Sequence, residues 1–173
     1  TDIAELTTDH LGALTATQAQ ALTSTNMANL VDTQIQALTT TALRSLSTTN
    51  VASLTTTQLS ALTTAQAASL TNTQLNALNS TKLGSFTESQ IEALTTAQVA
   101  SISTTNLTSL GATQLAALTT TQVANLSATQ VAALNTTNVG SLTETQIAAI
   151  TATQIKSLST TNLSALDATQ AAA

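Results

Sequence analysis

The 173-residue chain contains no cysteine, no proline and one aromatic residue, Phe86. Without cysteine it can form neither a disulfide framework nor a thiolate metal site, and without further aromatic side chains it cannot bind nucleic acid by base stacking. Charged residues make up 6 % of the chain, against roughly 25 % in typical soluble proteins. The net charge is −5, and the three cations, Arg44, Lys82 and Lys156, lie far apart. We therefore expect no nucleic-acid partner.

The chain is instead built from one octapeptide, repeated 21 times without insertion or deletion over residues 6–173. Residues 118–149 show four copies, LTTTQVAN LSATQVAA LNTTNVGS LTETQIAA. The first position is Leu in 18 copies and Phe86, Ile102 or Ile150 in the others. We predict that residues 1–173 form a single array. Because Ile3 already falls where an octad has Val, Ile or Leu, we expect a piece of a longer array.

Every octad carries the signals of a helix start. Its second position is Thr, Ser, Asn, Asp or Gly except at Val31, and these are the residues that cap helix N-termini. Gln in 13 copies, or Asn in five, follows three residues later and completes a capping box, although Asn is shorter and makes the reciprocal bond less well. The first and sixth positions have the spacing of a hydrophobic staple. The pattern predicts an all-α solenoid (a superhelix) of very short helices, one per octad.

Two other folds have to be weighed against this one. A continuous helix is disfavoured, because eight residues at about 100° each overshoot two helical turns and wind the Leu stripe around the axis. A β-solenoid remains the alternative, since Thr and Val favour strands. It would place the first and sixth positions on opposite faces of a strand, and only four glycines are available for the bends this requires.

On a helical projection the first, fifth, sixth and eighth positions share one face, while the third and seventh point away from it. The charges agree with this assignment. Acidic residues stand at the third position in Asp32, Glu88 and Glu144, and the seventh position holds Arg44, Glu92 and Lys156. We expect the fifth-position Gln to be partly buried and hydrogen-bonded.

The octads differ among themselves with a longer period of seven copies, or 56 residues. Asn, or Lys in its place, occupies the fifth position at gaps of alternately three and four octads, at Asn26, Asn50, Lys82, Asn106, Asn138 and Asn162. A feature required once per solenoid turn alternates in this way if a turn takes about 3.5 octads. We therefore predict about 28 residues per turn, with helices of successive turns staggered by half an octad. A 56-residue duplication unit is the alternative explanation.

Three unusual residues stand out in this pattern. His10, the only histidine, takes a fifth position beside Asp9 and near Glu5. A metal site needs several convergent ligands, so we interpret His10 as a variant at the end of the array. Lys82 is interpreted as a variant at a corner, and Phe86, which takes a Leu position, as a core residue.

No pattern in the chain indicates chemistry. Serine and threonine are abundant, but a nucleophile needs a positioned base and no base recurs. Asp32, Glu88 and Glu144 are too sparse for the six to eight oxygen ligands of calcium, and they suit helix N-termini. We predict no catalytic, cofactor-binding or metal-binding residues, no enzyme activity and no small-molecule substrate. No apolar run approaches the roughly 18 residues of a membrane span, so no membrane insertion is expected.

These LTTTQVAAL-like octads, of the type LTxxQxxAL, resemble short tandem repeats of very large bacterial surface and adhesin-like proteins. The helix opening is also similar to the LTPEQV start of TAL-effector repeats, without their Pro or base-reading loop. The first resemblance implies an exported structural segment at the bacterial cell surface. We expect a stiff extracellular rod, stalk or filament subunit that self-associates end to end or laterally. The alternative is a binding module whose repetitive Thr-rich face binds ice or polysaccharide.

Overall fold

A computed structural model describes residues 3–173 of the chain. These residues form 21 short α-helices after a 3-10 helix at Ile3–Glu5, and no strand occurs among them. The prediction of an all-α solenoid with one helix per octad is confirmed, and the β-solenoid is not supported. None of the described helices is long and apolar enough to cross a membrane.

The helices belong to two compact units, one up to Leu94 and one from Thr95. The first unit contains α1 Thr8–Gly12, α2 Ala16–Gln20, α3 Ser24–Asn29, α4 Asp32–Ala37, α5 Thr40–Ser45, α6 Thr48–Ser53, α7 Thr56–Ala61, α8 Thr64–Ser69, α9 Asn72–Ala77, α10 Ser80–Leu83 and α11 Glu88–Ala93. The second contains α12 Thr96–Ser101, α13 Thr104–Thr108, α14 Ala112–Ala116, α15 Thr120–Ala124, α16 Ala128–Ala133, α17 Thr136–Gly140, α18 Glu144–Ala148, α19 Ala152–Ile155, α20 Thr160–Leu163 and α21 Ala168–Ala172. That residues 1–173 act as a single array stays a prediction.

Helices begin at the third position of the octad because the second position caps them. At α7, the Thr55 hydroxyl accepts a hydrogen bond from the Gln58 backbone N–H at 3.2 Å. In return, Gln58 Oε1 accepts one from the Thr55 backbone N–H at 2.9 Å. Val31 has no side-chain oxygen, so its helix, α4, keeps only the returning bond, from the Val31 N–H to Gln34 Oε1 at 2.9 Å.

The corners between helices consist of two extended residues and need no glycine. Between α6 and α7, Leu54 has φ −56° and ψ 139° and Thr55 has φ −72° and ψ 163°. The Leu54 N–H donates to the Val51 carbonyl at 3.2 Å and closes the preceding helix. No described residue has a positive φ. A chain with only four glycines and no proline can therefore turn after every octad.

Each helix packs three helices along the chain. In the first unit the pairs run from α1 with α4 to α8 with α11, and in the second from α12 with α15 to α18 with α21. First- and sixth-position side chains fill the interior, as Leu54 and Leu59 do without any exposed surface. Phe86 is buried in the same interior, as predicted.

Hydrogen bonds between layers define the turn. Gln58 Nε2, in α7, donates to the Leu30 carbonyl 28 residues earlier, at the corner between α3 and α4. The helix therefore lies over a corner of the preceding turn, with the predicted half-octad stagger. The predicted 28 residues per turn are confirmed.

Replacing Val31 by Thr should stabilise the protein. Thr has nearly the same shape as Val, position 31 is 58 % exposed, and the added hydroxyl would cap α4. We expect the free energy of unfolding in urea to rise by about 1 kcal/mol. The matched control is Thr55→Val, which removes the same bond from α7 and should lower it by a similar amount. An unchanged stability in both variants would contradict the role given to the N-cap.

Candidate functional site

The fifth-position amides are the side chains on which this fold makes its most specific contacts. Gln66 is 2 % exposed. Its Oε1 accepts a hydrogen bond from the Thr63 backbone N–H at 2.8 Å, within its own octad. Its Nε2 donates to the carbonyls of Ile35 at 2.9 Å and Leu38 at 2.7 Å, in the preceding turn. One amide thus caps its own helix and binds the layer before it.

This arrangement recurs along both units, and we call the set the amide ladder. It comprises Gln34, Gln58, Gln66, Gln74 and Gln90 in the first unit, and Gln130, Gln146, Gln154 and Gln170 in the second. Every member donates to a first-position carbonyl 28 residues earlier, at 2.5–2.9 Å. A buried carbonyl without a donor costs roughly 1–3 kcal/mol, so the ladder removes a penalty that each corner would otherwise carry.

Asn at the fifth position makes a smaller version of the same contact. Asn50 Nδ2 donates to the Leu22 carbonyl at 2.5 Å, and Asn162 Nδ2 donates to Leu134 at 2.6 Å. Their helices, α6 and α20, are capped by serine without a returning bond from the Asn side chain, as the shorter side chain predicts. In α3 the box does close, through a bond from the Thr23 N–H to the Asn26 side chain at 3.0 Å.

Two other fifth positions depart from the amide. Lys82 lies within α10, not at a corner as the sequence analysis proposed, and its Nζ donates to the Ala52 carbonyl of the preceding turn. Lysine can take this position because the ammonium group is also a donor. Ala42 is fully buried and has no donor to offer. In its octad, Ser45 Oγ reaches the preceding turn instead, donating to the Ala16 carbonyl at 3.1 Å.

His10 occupies the place of a capping amide. Its Nδ1 accepts a hydrogen bond from the Thr7 N–H at 3.3 Å, and its own N–H donates to the Thr7 hydroxyl at 3.3 Å. The part of the chain that the structure describes contains no group of three His, Asp or Glu residues able to hold a metal ion.

The carboxylates complement helix N-termini. Asp32, Glu88 and Glu144 are the first residues of α4, α11 and α18, where a negative charge interacts favourably with the helix dipole. Asp167 caps α21: the Gln170 backbone N–H donates to its carboxylate at 2.8 Å, and the Thr169 hydroxyl donates at 2.6 Å. These hydrogen bonds, the first above all, hold the pKa of Asp167 below its usual value.

Comparison with known proteins identifies part of this array. Residues 35–72 match the model of the ALTTAQ repeat family. That stretch is a tandem repeat of this kind. Residues 61–66 read ALTTAQ, so the glutamine of the repeat's motif is the ladder residue Gln66. No curated protein and no solved structure matches the chain significantly.

The sequence analysis expected these glutamines to cap helices and to be partly buried, and it missed their role as donors to the preceding turn. The sequence nevertheless holds a signal for it. A capping box accepts Glu as readily as Gln, and the first helical turn favours negative charge. No octad has Glu at the fifth position. Only the need for an N–H donor distinguishes the two side chains.

Replacing Gln74 by Glu should destabilise the protein in a pH-dependent way. The carboxylate would face the Leu43 and Leu46 carbonyls that Gln74 Nε2 now contacts at 3.0 and 2.9 Å. Burial raises the pKa of such a Glu above its value of about 4.3 in the unfolded chain. The loss of stability should therefore be small below about pH 4 and grow as the pH rises, to about 3 kcal/mol at pH 7.

Urea unfolding at a series of pH values measures this effect. The matched control is Asn72→Glu, which adds the same charge at the exposed first residue of α9 and should change stability by less than about 0.5 kcal/mol. Equal stabilities of the two variants at pH 7 would show that the ladder donors do not matter.

Proposed function

We propose that the chain is a structural protein: a stiff extracellular rod, stalk or filament subunit at the bacterial surface, without catalytic activity. The observation that carries this proposal is the amide ladder. The polar side chains that lie in the interior are committed to capping helices and to joining layers. A chain whose buried polar groups bind its own backbone, octad after octad, is suited to bearing load.

The energetics of the repeat support the same proposal. Each ladder hydrogen bond contributes about 1 kcal/mol, and each octad adds its own staple and cap. Stability in such an array is a sum of repeat and neighbour terms, so added octads lengthen the structure without requiring a new core. Resistance to unfolding is thereby spread along the chain, as a stalk or filament requires.

The place and the partners proposed here rest on the repeats. The tandem-repeat match and the resemblance to repeats of bacterial surface proteins both support an exported, cell-surface location. The low content of charge leaves little electrostatic repulsion between copies. We therefore propose self-association of identical chains as the main interaction.

A length series tests the proposal. The 173-residue chain and a variant with residues 30–85 duplicated should scatter X-rays as elongated particles of the same cross-section. The 56 added residues should lengthen the particle in proportion to the number of octads. Compact particles, or an insertion that thickens the particle without lengthening it, would contradict a rod. Circular dichroism of both proteins establishes that they are helical.

A binding module with a Thr-rich face is the second candidate. Helices α3 and α6 pack on each other, and Thr25 and Thr49 are exposed at the same octad position of these neighbouring helices. Regular hydroxyls of this kind suit ice or a polysaccharide. If the face binds ice, the chain should show thermal hysteresis that a Thr25→Val/Thr49→Val variant changes; exposed Thr7→Val is the control. Absence of hysteresis and of polysaccharide retention would leave the structural function alone.

A further inference from the structure

We propose that the two end faces of this chain bind each other in a second copy, so that the amide ladder continues from chain to chain. This proposal rests on the proposed structural function and names the surface by which identical chains associate. In a longer polypeptide the adjoining octads would take these places, so the proposal concerns a chain of these 173 residues.

The first octads present unused donors. Gln18 Oε1 accepts a hydrogen bond from the Thr15 N–H at 2.9 Å, as a capping amide does. Its Nε2, however, has no acceptor among the described residues, and Gln18 is exposed where the ladder glutamines are buried. Asn26 is half-exposed in the same way, next to the half-exposed Leu22. We call Leu6, Leu14, Gln18, Leu22 and Asn26 the donor face.

The last octads present the matching acceptors. In the described part of the chain, no hydrogen bond reaches the first-position carbonyls of Ile150, Leu158 and Leu166, which stand where the ladder would deliver one. Their apolar neighbours are also uncovered: Leu163 is 40 % exposed, although sixth-position residues elsewhere are buried. We call Ile150, Leu158, Leu163 and Leu166 the acceptor face. It offers carbonyls and apolar surface where the donor face offers amides and leucines.

The spacing of the octads brings the two faces into register. Residues 6–173 are 21 octads, or 168 residues, which is six times the 28-residue ladder interval. A second copy that continues the numbering therefore places its Gln18 28 positions after Leu158 and its Asn26 28 positions after Leu166. These are the separations at which Gln58 binds Leu30 and Asn50 binds Leu22.

The longer period continues through the junction as well. Asn138 and Asn162 are three octads apart, so the alternation requires the next Asn four octads later. The second copy's Asn26 falls at that position. Because 21 octads are a multiple of seven, every variant octad of the second copy meets the neighbours it has within the chain. This match identifies a copy of the same chain, in head-to-tail orientation, as the partner that fits.

Cross-linking tests the register. Ser45 and Ala16, at the eighth and third octad positions 29 residues apart, are in contact within the chain, and Ala21 with Thr160 is the equivalent pair across the junction. The chain has no cysteine, so an Ala21→Cys chain and a Thr160→Cys chain can be mixed and oxidised. We expect mixed disulfide dimers to form at least about tenfold faster than dimers of either variant alone. Equal rates, or no mixed dimer at millimolar concentration, would overturn the proposal.

A second pair of variants tests the donors. Gln18→Glu keeps the oxygen that accepts the Thr15 N–H and loses the donor, whereas Gln20→Glu adds the same charge at an exposed position of the same helix. Sedimentation should show association weakened at least about tenfold in the first variant and little changed in the second. Equal association of the two variants would also overturn the proposal and indicate lateral contacts.

The two proposals fail in different ways. If the chain is not helical and elongated, the structural function fails. If it is helical and elongated but stays monomeric, or associates without the mixed disulfide, only the end-to-end interface fails. Circular dichroism of the Gln18→Glu variant should match that of the unmodified chain, because Gln18 binds no preceding layer within it.

Discussion

The hydrogen bond from a fifth-position amide to a corner carbonyl of the preceding turn is the constraint on which this structure depends. A corner every eight residues leaves a backbone carbonyl that no helix satisfies, and burying it without a donor is costly. Gln66 shows the solution, because one side chain accepts the N–H of its own cap and donates to the layer before it. Capping, which is a local interaction, and stacking, which is not, are thus performed by the same amide.

The half-octad stagger follows from this bond. If a turn took three or four whole octads, each Gln would lie over the middle of another helix, where the carbonyls are already bonded within the helix. At 3.5 octads it lies over a corner, where the first-position carbonyl is free. Gln58 over Leu30 and Gln146 over Leu118 show the same geometry in the two units. The turn length and the choice of Gln therefore support each other.

Much of this fold could be predicted because its signals are local. The N-cap at Thr55, the staple and the outward charges all lie within one octad, and the Asn spacing revealed the turn length. What could not be predicted was the partner of the amide nitrogen, since Leu30 and Gln58 are 28 residues apart and no short-range pattern joins them. Lys82 was misplaced at a corner for the same reason: its contact with Ala52 exists only after the turns have stacked.

The sequence by itself determined that every octad starts a helix, which residues are buried, and how many residues one turn takes, because periodicity and capping act over a few residues. Only the tertiary structure decided what the fifth position is for. The donors of Gln74 find acceptors on Leu43 and Leu46 through the packing of one layer on another. That packing also sets apart Gln18, which has the same capping bond but no preceding layer to bind.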